Sequence, residues 1–185
     1  MRTTRLLIAV TVVLAWSLGS AAAQENPAKI EFAGGKLALT APEKWQRKQP
    51  RTRIVEHEFA IPASEGDTND GRLTLMGAGG GLQANIDRWI GQFSQPDGSS
   101  TRKRAKIEKK QVAGDDVHLV DISGTYKDQP GPFAPGVDRP KYRMLAAIIP
   151  TESRGTYYVK LYGPQRTVTD NEKAFLKMIE GLDRK

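Results

Sequence analysis

The chain has 185 residues with 28 Lys and Arg against 21 Asp and Glu, a formal charge of +7, so it can bury a core and favours anionic partners. It contains no cysteine, which excludes disulfides, thiolate metal sites, thiol nucleophiles and a lipid carried on an N-terminal cysteine. No nucleic-acid motif accompanies the positive charge, and nucleic acid is not expected as a partner.

Residues 1–23 read as a secretory signal peptide. Arg2 and Arg5 supply the positive start, Leu6 to Leu18 the apolar run, and Ala21-Ala22-Ala23 the small-residue cleavage site before Gln24. The run is interrupted by Thr11 and Ser17 and falls short of the roughly 18–20 residues that span a bilayer. The expected product is exported, periplasmic or extracellular, and soluble after cleavage, with no transmembrane segment. Cleavage leaves a single globular domain, residues 24–185, and the loss of two arginines lowers the charge to +5.

Residues 24–28 form a loosely ordered polar lead. Lys29 to Phe32 and Lys36 to Thr40 alternate in polarity around Ala33-Gly34-Gly35 and predict a hairpin. Trp45 to Lys48 resumes a strand after Pro42. Arg53 to Ile61 is a clearer one, with Val55, His57, Phe59 and Ile61 on one side. Arg72 to Gly77 follows the polar stretch 64–71. Ile86, Trp89, Ile90 and Phe93 then recur at helical spacing and predict a helix from Gln83 to Ser94 with an aromatic inner stripe.

Ala105 to Ala113 and Asp116 to Lys127 predict two strands joined around Gly114-Asp115. Asp128 to Pro140 holds Pro130, Gly131, Pro132, Pro135, Gly136 and Pro140 and reads as an irregular loop, either functional or mobile. Lys141 to Ile149 and Thr156 to Tyr162 are the last strands. A terminal helix carries Phe175, Met178, Ile179 and Leu182 on one stripe, Thr169 and Glu172 at capping-box spacing, and Gly181 at its end. Strands, helix, four strands and helix, linked as hairpins, predict the α+β class with an antiparallel β-sheet covered by two helices.

Few residues carry chemistry. Gly77-Ala78-Gly79-Gly80-Gly81 lies between a strand and a helix, but the third glycine of a dinucleotide loop would fall on Leu82, and no cofactor is expected. His57 sits between Glu56 and Glu58, and His118 follows Asp115-Asp116, so a metal-assisted hydrolase using His57 or His118 is the enzyme alternative. On a strand, however, Glu56 and Glu58 point away from His57. No G-x-S-x-G nucleophile elbow occurs, and no catalytic or metal-ligating residue is assigned.

The binding candidates are Phe133, Arg139, Tyr126, Lys106 and Lys110. Phe133 lies in the Pro/Gly loop near Tyr126 and Arg139, where an apolar ring beside an arginine either contacts a partner or pins the loop. Arg102-Lys103-Arg104, Lys106, Lys109 and Lys110 form a basic strip; read as a strand, it sets Lys106 and Lys110 on the face of Arg102 and Arg104. Such a strip either guards a sheet edge or binds an anion.

Three features carry a resemblance: the Pro42-Glu43-Lys44-Trp45 step after the first hairpin, the helix with an aromatic inward face, and Tyr158-Val159-Lys160-Leu161-Tyr162-Gly163-Pro164 before a helix bearing Phe175 and Met178. Together they resemble the PsbP/Mog-type sandwich, and the chain is similar to exported bacterial DcrB-like proteins. The resemblance implies accessory and binding work rather than catalysis, since the fold serves a photosynthetic accessory subunit and a binder of a small GTPase. Fold alone transfers no activity. The expectation is a non-catalytic binding or accessory protein of the cell envelope that recognises a protein or an anionic envelope component. A structural subunit of an envelope complex is the remaining alternative.

Overall fold

A computed structural model describes residues 28–129, 134–151 and 155–185. The leader at 1–23 and the candidate contact Phe133 lie outside the described residues. In chain order the elements are β1 (Lys29–Phe32), β2 (Leu37–Thr40), β3 (Gln46–Lys48), β4 (His57–Ile61), β5 (Gly71–Ala78) and α1 (Leu82–Ile90). There follow β6 (Phe93–Ser94), α2 (Thr101–Arg104), β7 (Lys106–Val112), β8 (Asp115–Asp128), β9 (Val137–Thr151), β10 (Gly155–Pro164), α3 (Gln165–Asp170), α4 (Glu172–Glu180) and β11 (Asp183–Arg184).

The strands pair antiparallel throughout. β1, β2 and β11 make a small sheet, and the large sheet runs β3-β4-β5-β10-β9-β8, with β6 and β7 both on the outer side of β8. Period-two alternation gives the large sheet two apolar faces, each with its own cover. Leu73 and Leu75 on β5, Val159 and Leu161 on β10, and Phe59 on β4 pack with the small sheet and with Phe175, Met178 and Ile179 of α4. Tyr158, Met144, Ile148, Val120 and Ile122 face the other way, onto Ile86, Trp89 and Ile90 of α1.

Among the described residues four helices stand where the sequence pattern predicts two. The first predicted helix stops at Ile90, because Phe93 and Ser94 leave it to pair with Tyr126 and Thr125 of β8. Arg102 to Arg104 wind into α2, so they do not share a strand face with Lys106 and Lys110. Helix also begins directly after Pro164, whose fixed φ suits a helix start. A break at Asn171 then separates α3 from α4. The capping box predicted for Thr169 and Glu172 does not form. Thr169 donates to the Gln165 carbonyl, and both side chains turn to Arg143.

The proline-rich segment is shorter than predicted. β8 continues to Asp128 and β9 starts at Val137, opposite it. Pro140 is tolerated inside β9 because the register slips between Gly124 and Tyr126, and a bulge spares the ladder hydrogen bond that proline cannot give. Gly124 takes φ +152° there, with the Ser94 carbonyl where any Cβ would stand.

Candidate functional site

The loop between β3 and β4 gathers exposed positive charge. Its sequence, Gln49-Pro50-Arg51-Thr52-Arg53-Ile54-Val55-Glu56, follows Arg47 and Lys48, which places four cations within seven positions. The loop is pinned at its base. Val55 is buried, its amide closes a turn onto the Thr52 carbonyl at 3.3 Å, and the Glu56 amide bonds the Leu75 carbonyl at 2.9 Å. Glu56 Oε1 accepts from the Gly77 amide at 3.0 Å. With Val55 turned in, Ile54 turns out and is 69% exposed at the tip.

Arg47, Lys48, Arg51, Arg53 and His57 line an open groove of about 470 Å³ beneath this tip. Arg47 is held by the Lys29 carbonyl at 2.7 Å and by His57 Nδ1 at 2.9 Å, and its guanidinium lies 4.8 Å from the centroid of the Phe59 ring. The His57 ring closes the set by bonding the Glu31 carbonyl through Nε2 at 2.9 Å. With Nδ1 accepting from arginine, Nε2 carries the proton, the neutral tautomer.

One buried carboxylate stands behind the groove. Glu58 takes two bonds of 2.8 Å from the Arg72 guanidinium, and the Arg51 amide reaches it at 3.4 Å. The Arg72 hydrogen bonds hold the Glu58 carboxyl below the usual carboxylate range. Arg72 thereby neutralises Glu58, and the Arg51 side chain approaches it only at 3.9 Å. Among the described residues Arg53 has no carboxylate partner, so the loop keeps a net positive charge.

Four of the six cations in the basic strip read from the sequence are paired instead. Arg102 pairs with Asp87, Arg104 with Asp97, Lys109 with Asp116 and Lys110 with Glu180. Lys106, exposed on β7, lines a separate recess of about 270 Å³ with Arg104 and Arg143. Tyr126 is a core residue rather than a loop contact. Its ring stacks on Tyr142 at 6.1 Å and meets Phe93 and Tyr162, and burial raises its phenol above the usual range. Arg139 sits opposite Tyr126 and pairs with Asp128 at 3.4 Å.

The two histidines do not converge. Four strand steps, about 19 Å, separate β4 from β8, and His57 faces the α4 side while His118 faces the α1 side. Among the described residues no group of three His, Cys, Asp or Glu side chains could hold a metal ion. The glycine stretch leads from β5 into α1, but β5 pairs only with antiparallel neighbours, so it does not belong to a βαβ unit.

The sequence reading missed the loop as a site. Ile54 and Val55 carry strand propensity, which draws Arg53 to Ile61 into one strand, whereas pairing starts at His57. The available signal was the density of cations around Pro50, with no acidic residue between Glu43 and Glu56.

The solution structure of cyanobacterial PsbP (CyanoP) from Synechocystis sp. PCC 6803 matches this one with a TM-score of 0.53 at 10% identity, covering 91% of this chain and 99% of that one. The fold is PsbP-like. A crystal structure of a protein of unknown function from Pseudomonas aeruginosa, PA94, matches at a TM-score of 0.45 and 13% identity, covering 86% of this chain and 97% of that one. No protein-family model matches the sequence, and no curated protein sequence matches it. At such identities the PsbP-like likeness concerns architecture, and the groove is argued from its own side chains. Among the described residues no helix is long and apolar enough to cross a membrane.

Proposed function

We propose that this protein is a non-catalytic accessory module of the cell envelope that docks reversibly on an anionic membrane surface through the 49–56 loop. The observation that carries the reading is Ile54, 69% exposed on a pinned loop whose groove is lined by Arg47, Lys48, Arg51 and Arg53. An apolar tip within a cationic collar suits the boundary between lipid headgroups and acyl chains. The leader read in residues 1–23 supports export, and a PsbP-like scaffold supports a binding role.

The magnitudes suit a peripheral contact. Each cation near an anionic surface contributes about 1 kcal/mol, and burying an isoleucine about 2 kcal/mol. Four cations and one isoleucine give about 6 kcal/mol, which corresponds to a dissociation constant of tens of micromolar and is sensitive to salt.

Co-sedimentation with vesicles tests the reading. The full chain should pellet with phosphatidylglycerol-containing vesicles at low salt, remain in solution with phosphatidylcholine vesicles, and be released at 0.5 M salt. Arg51→Glu with Arg53→Glu should abolish pelleting, and Ile54→Asp should weaken it about tenfold or more. Equal pelleting by the charge-reversed and parent proteins overturns the assignment.

A further inference from the structure

The face of the large sheet beside α1 holds a second concentration of donors and positive charge, built from other residues than the loop. Lys160 rises half-buried from the middle of β10, with Thr74 directly opposite on β5 and Ala146 on β9. Its ammonium stands 4.6 Å from the centroid of the Tyr162 ring, and among the described residues no hydrogen-bond acceptor or carboxylate reaches it. The Thr74 hydroxyl is fully buried and likewise without a partner among the described residues.

Two arginines add to the same spot. Arg72 donates to the Tyr162 hydroxyl at 2.7 Å, so that phenol's own proton is left to be given elsewhere. Arg88 on α1 donates to Asn85 Oδ1 at 2.7 Å, and Asn85 Nδ2 donates in turn to the Tyr158 hydroxyl at 2.8 Å, freeing a second phenol proton. Arg88 has no carboxylate partner among the described residues.

The charged groups acting on Lys160 are Arg72 from β5, Arg88 from α1 and Asp128 from β8, while Glu58 on β4 is occupied by Arg72. Burial, reinforced by the two arginines and opposed by Asp128, lowers the Lys160 ammonium to a pKa of about 8. Donors exceed acceptors here, and positive charge exceeds negative. A group rich in acceptor lone pairs and carrying negative charge corrects both imbalances at once.

We propose that Lys160, Arg88, Tyr162 and Thr74 mark a binding site for a phosphate-type oxyanion on the α1 face of the sheet. The site shares no residue with the docking loop. Its ligand is a free phosphate or sulfate group, or the phosphate of a lipid headgroup, and the experiment separates these sources.

Isothermal titration of inorganic phosphate and of sulfate into the full chain at pH 7 and pH 9.5 is run beside Lys160→Met, with vesicle binding measured on the same proteins. Saturable binding at pH 7 is expected, weakened about tenfold or more at pH 9.5 and in the variant. The thermal midpoint of Lys160→Met should match or exceed that of the parent, which separates lost binding from lost fold. Binding of the free ions assigns a soluble ligand. Binding confined to phosphatidylglycerol vesicles, and lost in Lys160→Met, assigns a headgroup. Silence of both probes, or parent and variant alike in ion binding and in vesicle binding, overturns the proposal. Arg53→Glu with Ile54→Asp, neither of which touches Glu58 or Arg72, leaves ion binding intact, so failure of the docking loop and failure of this site give different patterns.

Discussion

The Trp45 indole N–H donates to Asn171 Oδ1 at 2.8 Å and ties the turn after Pro42 to the break between α3 and α4. Asn171 is well suited to that place. Its amide nitrogen also donates to the Thr167 carbonyl at 2.9 Å, and its carbonyl accepts the first turn of α4 from the Phe175 amide. One side chain therefore satisfies the end of one helix while its backbone starts the next. Asn171→Ala should cost about 1–2 kcal/mol in urea unfolding. Trp45→Phe should cost a similar amount, because it keeps most of the buried ring and removes the donor. The double variant should fall short of the sum by about 0.5 kcal/mol or more, the mark of a direct bond.

Arg143 fastens the same break between the two helices from the large sheet. It is nearly buried on β9, gives Asp121 of β8 two bonds of 2.9 Å, and reaches Glu172 at 2.8 Å and Thr169 at 3.1 Å. Those hydrogen bonds raise the guanidinium above its usual range, so the arginine stays charged at every accessible pH. Removing it leaves two carboxylates facing one recess. Arg143→Met should lose about 2–3 kcal/mol, below the loss for a fully buried pair because Glu172 is partly exposed. Arg143→Lys should recover less than half of that, since an ammonium cannot fork onto Asp121. Chemical denaturation of the three proteins measures both values.

The strand pattern was legible because alternation survives wherever one face of a strand is buried. Leu73 and Leu75 against Arg72 and Thr74, or Val159 and Leu161 against Lys160 and Tyr162, show the period directly. Pairing is different. Pro140 reads as loop from its own chemistry, and only the bulge beside Gly124 lets it stand inside β9. Thr169 and Glu172 have cap spacing, but Arg143 is a stronger partner for both than a backbone amide. The strip from Arg102 to Lys110 looks uniformly positive in sequence, yet Asp87, Asp97, Asp116 and Glu180 pair with four of its six cations, two of them from distant parts of the chain that no local reading brings near. The same limit hid Lys160, an unremarkable lysine in sequence whose significance comes from what surrounds it.

Glu58 should govern part of the acid limb of stability. Its carboxyl is held below the usual range by the Arg72 hydrogen bonds and sits on a nearly buried side chain. A folded-state pKa below the unfolded one means that the stabilisation is present above the unfolded value, about 4.3, and is lost as pH falls through the folded value. Thermal midpoints should therefore fall steeply below pH 4.5 in the parent. Glu58→Gln should be less stable than the parent at pH 7 by about 2 kcal/mol, because Arg72 is left without its countercharge. Its melting curve should also vary less with pH between 5 and 3. A parallel decline in both proteins would mean that other carboxylates carry the acid limb.

Lys160 imposes the opposite signature at alkaline pH. Its folded pKa of about 8 lies below the unfolded lysine value, about 10.4, so between these limits the unfolded chain binds the extra proton and stability rises with pH. Below pH 8 the fold carries a charged ammonium beside Arg72 and Arg88 at a net cost. Lys160→Met removes that cost and should stabilise the protein at pH 7 by about 1 kcal/mol, allowing for the part of the side chain that faces solvent. The gain should shrink towards zero by pH 10. Saturating phosphate should narrow the pH 7 gap from the other side, because an anion on the parent favours the charged amine and has no amine to meet in the variant. Differential scanning calorimetry of both proteins at pH 7 and pH 10, with and without phosphate, reads all four values. A destabilised Lys160→Met at pH 7 would show that the ammonium is held by attraction rather than tolerated against repulsion.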